Sequence, residues 1–160
     1  MRLGPILAAT ALATLVAACG QSQEKSAGGP AGAPVSDAEK QTLLASYPAP
    51  YNTADLANGQ TKFGLCQSCH TITPGGANMT GPNLHGVFGR QVGALPGYNY
   101  SDAVRQADFV WDGEQLDHWL ENPRTFLRGT KMSFVGIADA QDRRDVIAFL
   151  KVETGYAPQP

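Results

Sequence analysis

The sequence lacks the features that mark several common classes of protein. Only 16% of its 160 residues are charged and the formal net charge is -2, which excludes a general electrostatic attraction to nucleic acid. No apolar run reaches the ~20 residues of a membrane-spanning helix, and no stretch has the alternating pattern of a β-strand. Gly (18) and Pro (11) are plentiful, so we expect one domain with long loops.

Cysteine is also scarce, and the three cysteines cannot all pair in disulfides. Cys19 ends an apolar N-terminal segment, whereas Cys66 and Cys69 stand two residues apart immediately before His70. Each cysteine therefore has a candidate chemical use other than a structural disulfide.

The first 18 residues are typical of an export signal, with Arg2 at the start, an apolar run over 3–18 and small residues at its end. The last residues resemble a bacterial lipoprotein signal, in which the cysteine is diacylated and becomes the new N-terminus. We therefore predict a signal peptide over 1–18 and a lipid on Cys19 that anchors the protein on the periplasmic side of a bacterial membrane, with the inner membrane favoured. A plain cleaved signal or an uncleaved anchor remains the alternative.

Residues 19–50 are rich in Gly, Pro, Ser and Gln, with almost no large apolar residue before Leu43. This composition predicts a flexible linker that joins the lipid to a folded domain over 51–160. The alternative is a short helix over 37–45, capped by Ser36 and packed on the domain.

The segment from Cys66 to His70 is a Cys-x-x-Cys-His motif, which attaches c-type haem through two thiols while the imidazole reaches the iron. A redox dithiol or half of a zinc site is the alternative for a Cys-x-x-Cys pair. A zinc site needs a second pair of ligands, however, and His85 and His118 stand apart and alone. The motif therefore predicts one covalently bound haem c.

Further motifs make residues 55–153 similar to class I cytochrome c, specifically the mitochondrial type and its bacterial membrane-anchored relatives. The matching segments begin at Cys66, Thr80, Phe88, Tyr100, Leu120 and Gly129. The resemblance implies an all-α class I cytochrome c fold, with short helices and long loops wrapped around one haem. We predict helices over 55–63 with a cap near Asn52 or Thr53, over 114–122 with Asp112 as cap, and over 140–153.

The second axial ligand is expected to be a methionine. Met79 lies too close to His70 in sequence to reach the opposite haem face easily, so Met132 is favoured, and the resemblance places Met132 in the family's methionine loop. The predicted metal ligands are therefore His70 and Met132, with Met79 as the alternative.

The resemblance also implies the residues around the haem. The carbonyl of Pro82 accepts a hydrogen bond from His70, and Arg90, Tyr100 and Trp111 donate to the propionates. Trp119 stands where mitochondrial members have a tyrosine, and Val104 stands where an asparagine is usual. His85 and His118 are expected on the surface.

A haem with two protein ligands has no open coordination position, so the predicted role is single-electron transfer and not catalysis. By resemblance, the donor is a quinol-cytochrome c reductase and the acceptor a terminal cytochrome c oxidase, and the protein is a monomer. Arg124, Arg128 and Lys131 are predicted to form the docking surface. A ligand-binding haem enzyme or sensor and a fixed subunit of a respiratory complex are the rival hypotheses.

Overall fold

The computed structural model describes residues 35–156, and these residues contain six α-helices. They are α1 (Asp37–Ala45), α2 (Leu56–Phe63), α3 (Asp102–Gln106), α4 (Gly113–Glu121), α5 (Pro123–Phe126) and α6 (Ala140–Glu153). A 3-10 helix (Tyr51–Thr53) precedes α2. Within this part of the chain there is no β-strand, only an isolated bridge between Gln91 and Val110. The prediction of an all-α fold with long loops is confirmed.

The boundaries of the helices follow from their capping residues. Asp55 caps α2 by accepting hydrogen bonds from the amides of Ala57 and Asn58, so the cap predicted near Asn52 or Thr53 was wrong. Asp112 caps α4 as predicted. The proline after α4 does not end helical structure, because Asn122 caps a further helix in which Pro123 occupies the first turn.

The packing of α2 against α6 forms the centre of the fold. Gly59 lies so close to α6 that an added Cβ would stand 2.7 Å from the carbonyl carbon of Asp145 and 2.8 Å from Cβ of Phe149. Asn58 Nδ2 donates to Asp145 Oδ2 (2.9 Å), and the rings of Phe63 and Phe149 lie 5.5 Å apart. This contact positions the segment that follows α2 and carries the cysteine motif.

Helix α1 belongs to the folded unit, which begins at Val35. Ser36 and Glu39 form a capping box at its start, and Leu44 and Tyr47 are buried against Ala148 and Val152. The alternative prediction, a short helix over 37–45 that packs on the domain, is therefore the correct one for this part of the segment that was expected to be a linker. The predicted signal peptide, Cys19 and the linker residues before 35 lie outside the described residues.

The helices of residues 35–156 are too short or too polar to span a membrane.

Candidate cofactor site

The two cysteines and the histidine of the motif follow directly after α2. The amide of Cys66 donates to the carbonyl of Phe63 (2.8 Å), and the amides of Cys69 and His70 both donate to the carbonyl of Cys66 (3.0 Å each). This tight turn places both sulfurs and the imidazole along one cavity.

The surroundings of Cys66 differ from those of a cysteine in a redox dithiol. Cys66 and Cys69 are not joined by a disulfide. Burial, together with the neighbouring Cys69, raises the pKa of Cys66 to about 11. Cys66 is therefore a protonated thiol at neutral pH, whereas reactive dithiols have a lowered pKa.

One hydrogen bond fixes the tautomer of His70. Its Nδ1 lies 2.7 Å from the carbonyl oxygen of Pro82, which can only accept, so Nδ1 carries the proton. Burial lowers the pKa of His70, and the hydrogen bond to Pro82 opposes this effect only in part. A neutral imidazole protonated at Nδ1 leaves the Nε2 lone pair available for a metal.

Gly81 allows the His70 ring to lie where it does. An added Cβ at Gly81 would stand 2.6 Å from Nε2 and 2.7 Å from Nδ1 of the ring. The amide of Gly81 also donates to the carbonyl of Cys69 (2.8 Å), which holds this loop against the motif.

The cavity has a volume of about 350 Å³ and mostly apolar walls. Its walls come from the cysteine motif, the loops over 80–101 and 130–134, Trp111, and helices α3, α4 and α6. The apolar wall residues include Leu84, Val87, Val104, Leu116, Leu120, Phe134, Val146 and Leu150. Met132 also lines this cavity, half-buried. Two thiols, a neutral imidazole and a thioether around an apolar space fit a c-type haem.

The predicted propionate donors contribute polar groups to the wall of the cavity. Arg90, Tyr100, Trp111 and Trp119 all line it. Arg90 Nη2 donates to the carbonyl of Asn83 (3.2 Å) and Nη1 to that of His85 (3.5 Å), which uses two of the five guanidinium N–H groups. Burial lowers the pKa of Arg90 and raises that of Tyr100. Such desolvated donors are suited to carboxylates that enter an apolar space.

The aromatic side chains of this cavity wall pack against one another. The rings of Trp111 and Trp119 meet edge to face at 5.5 Å, and Phe109 meets Trp111 in the same way at 4.8 Å. Val104 is buried in the wall, so the position that is usually asparagine contributes apolar surface here.

The remaining candidate ligands lie elsewhere. Met79 is 47% exposed and does not line the cavity. His118 is exposed and stacks on Phe126, with the ring centroids 6.5 Å apart. His85 is half-buried and not fully on the surface as expected, but it too lies outside the cavity lining.

The three predicted docking residues are exposed, and only Lys131 lines the cavity. Its Nζ donates to the carbonyls of Asn99 (3.1 Å) and Tyr100 (3.3 Å), which anchors this lysine to the loop across from it. Arg124 and Arg128 form no ion pair with a carboxylate among residues 35–156.

Sequence reasoning did not find several residues of the site, among them Leu65, Thr80 and Tyr98. Leu65 is 59% exposed beside the motif and lines the cavity, as does Thr80. Tyr98 also lines it and donates its hydroxyl to the carbonyl of Thr80 (2.6 Å). The position of Leu65 next to Cys66 was the one signal available in the sequence, because the other two positions depend on how the loop folds.

Comparison with known proteins decides what this site is. The family model described as cytochrome c matches residues 56–152, which is more than half of the chain. The chain belongs to the cytochrome c family.

Its relatives include proteins that are named cytochrome c and cytochrome c2. A cytochrome c of Kluyveromyces lactis is 42% identical over 104 residues, covering 64% of this chain and 94% of that protein. A cytochrome c2 of Rhodomicrobium vannielii is 43% identical over 105 residues, covering 66% and 84%. The solved structure of cytochrome cH from Methylobacterium extorquens superposes with a TM-score of 0.57 at 39% identity, covering 61% of this chain and 98% of that one.

Membership confirms the class I cytochrome c fold, the single covalent c-type haem on Cys66 and Cys69, and the role of electron carrier rather than enzyme. When bound, the haem supplies an iron that gains and loses one electron. The protein residues hold the haem by two thioethers, orient the His70 imidazole through Pro82, and exclude water with the apolar walls. The exposed members of the lining, such as Leu65, Thr80 and Lys131, surround the opening.

Proposed function

We propose that this cytochrome carries single electrons from a quinol-cytochrome c reductase to a terminal cytochrome c oxidase, with His70 and Met132 as the iron ligands. One observation carries the proposal: a single apolar cavity contains both cysteines, the imidazole with its free Nε2, and the thioether of Met132. A soft thioether paired with a neutral imidazole closes the coordination of the iron and favours electron transfer over oxygen chemistry.

The residues around the opening support encounters with protein partners. Leu65 offers an apolar contact, and Arg124, Arg128 and Lys131 offer positive charge near the methionine loop. Because the net charge is -2, long-range attraction to an acidic partner is weak. At a Debye length of ~8 Å in physiological salt, however, a partner senses mainly the nearest charges, so this local cluster governs orientation.

The proposed location is the periplasmic side of a bacterial inner membrane, with a lipid on Cys19. The sequence up to Cys19 supports export and lipidation, and the bacterial cytochrome c2 relatives support a periplasmic location. The protein acts as a monomer that moves between its partners.

The ligand assignment is tested by Met132→Ala, with Met79→Ala as the matched control. We expect Met132→Ala to keep the haem, because the thioethers do not depend on the axial bond. Its ferric spectrum should lose the weak far-red band of methionine ligation and it should bind added imidazole or cyanide readily. A native band in Met132→Ala, together with loss of the band in Met79→Ala, would refute the assignment.

Docking is tested by replacing Arg124, Arg128 and Lys131 with Glu. We expect a large fall in the second-order rate of electron transfer to the oxidase at low ionic strength, and a smaller fall as salt rises. The control changes exposed Gln41 and Gln60 to Glu, which adds negative charge away from the cavity. A rate indifferent to both substitutions and salt contradicts electrostatic docking.

The anchor is tested by Cys19→Ser and by the mass of the mature protein. The variant should leave the membrane fraction, or remain unprocessed, while the haem spectrum of folded molecules is unchanged. Membrane association of a correctly cleaved serine variant would contradict the lipid anchor.

A further inference from the structure

Lys151 is a buried lysine surrounded by aromatic rings. Its side chain is on α6 and the residue is only 4% exposed. Nζ lies 3.8 Å from the ring centroid of Tyr156, 4.4 Å from Phe88, 5.1 Å from Tyr51 and 5.7 Å from Tyr47. No carboxylate among residues 35–156 pairs with it. The negative faces of the rings therefore compensate for part of the lost hydration of the ammonium group.

The four rings come from separate parts of the chain. Tyr47 and Tyr51 belong to the segment 37–54, which we call the strap; Phe88 belongs to the loop that also lines the cavity, and Tyr156 follows α6. The hydroxyl of Tyr47 donates to the carbonyl of Tyr156 (3.1 Å). Lys151 thus contacts the strap, the loop that contains Phe88 and the segment that follows α6.

Further contacts attach the strap to α6. Lys40 forms an ion pair with Glu153. Leu44 and Ala54 of the strap are buried in one apolar cluster with Ala148. An ion pair and apolar burial therefore hold the strap against α6, in addition to its contacts with Lys151.

The strap and the cavity lie on opposite faces of α6. Val146 and Leu150 line the cavity, whereas Ala148, Lys151 and Val152 face the strap. With 3.6 residues per turn, the mean directions of these two sets differ by roughly 170° around the helix axis. Helix α6 therefore stands between the strap and the cofactor.

We propose that the strap, locked by Lys151, fixes the point where the N-terminal segment enters the domain to the side of α6 opposite the haem cavity. Given the membrane attachment proposed above, on which this consequence rests, the cavity opening remains accessible to partners while the protein is anchored. The strap gives the N-terminal segment a defined origin on the domain.

The role of Lys151 in holding the strap on the domain is tested by amide hydrogen exchange in the haem-bound protein. The amides of Tyr47 and Tyr51 donate within the strap, to Leu44 and Pro48, and report its opening. Lys151→Ala should raise their exchange rates at least tenfold, and Tyr156→Leu, which removes the ring closest to Nζ, should do the same. Lys62→Ala is the matched control because Lys62 pairs with Asp142, outside the strap. Wild-type rates in both test variants would overturn the proposal.

The orientation is tested with the full-length mature protein bound through its own N-terminus to phosphatidylcholine vesicles. A reduced soluble redox protein should reduce the haem on vesicles within threefold of its rate in detergent solution. A tenfold or greater fall for the protein reductant, with no fall for ascorbate, would overturn the proposal, because the opening would then face the membrane. Failure to bind vesicles would contradict the lipid anchor, and the exchange rates would still decide whether Lys151 locks the strap.

Discussion

The contact between Gly81 and the His70 ring makes Gly81→Ala a sharp test of the site. The added Cβ would lie 2.6 Å from Nε2, whereas ordinary contact needs at least 3.4 Å. The ring must therefore move by about 1 Å, and it cannot do so without stretching its 2.7 Å hydrogen bond to Pro82. Overpacking costs about 1–3 kcal/mol and a lost hydrogen bond about 1 kcal/mol, so we expect a loss of about 2–4 kcal/mol.

Thermal unfolding of the ferric protein measures this loss. About 2–4 kcal/mol should lower the midpoint by roughly 10 °C or more in a domain of this size. The spectrum in the haem region should also change, because the displaced ring is the expected iron ligand. Thr80→Ala, at the exposed neighbouring position, is the control and should shift the midpoint by less than about 2 °C. A Gly81→Ala protein with the wild-type midpoint and spectrum would refute the packing argument.

Three other changes test the framework around the site. Gly59→Ala should lower the unfolding free energy by about 2–3 kcal/mol in a denaturant titration, because its Cβ meets the backbone of Asp145, which cannot move aside. Arg143→Met should cost about 3 kcal/mol by the same assay, because it leaves the partly buried Asp117 without the guanidinium that binds both its oxygens. Burial lowers the pKa of Lys151 from 10.5 to about 8. The unfolded chain therefore binds more protons between these values, and stability should rise by about 1–2 kcal/mol from pH 8 to 10. Lys151→Met should flatten that profile.

Local sequence signals predicted the parts of the fold that depend on near neighbours. The Cys-x-x-Cys-His motif, the Asp112 cap and the extent of α6 all agree with the structure. Each depends on residues within a few positions of one another, where capping and helical spacing act directly.

Long-range packing was not predictable in the same way. The composition of 19–50 indicated a linker, yet α1 packs because Leu44 and Tyr47 meet a face of α6 about a hundred residues later in the chain. The Lys151 cage likewise needs rings at positions 47, 51, 88 and 156 to converge. No local pattern encodes that convergence, so only the folded structure shows it.

The long connection between α2 and α3 indicates that the cofactor contributes to the packing of the fold. Residues 64–101 contain no helix or strand, which is far longer than the roughly 12–15 residues usual for a loop in a compact domain. Its hydrogen bonds join turns within the connection, such as Leu84 N to the carbonyl of Thr71 (2.8 Å), and link it to the segment before α4, such as Gly89 N to the carbonyl of Trp111 (2.8 Å). Its apolar side chains Leu84 and Val87 line the cavity and also pack against the core formed by the helices. A haem in the cavity would therefore complete the apolar contacts of this loop, and the covalent bonds to Cys66 and Cys69 would keep it in place in both oxidation states.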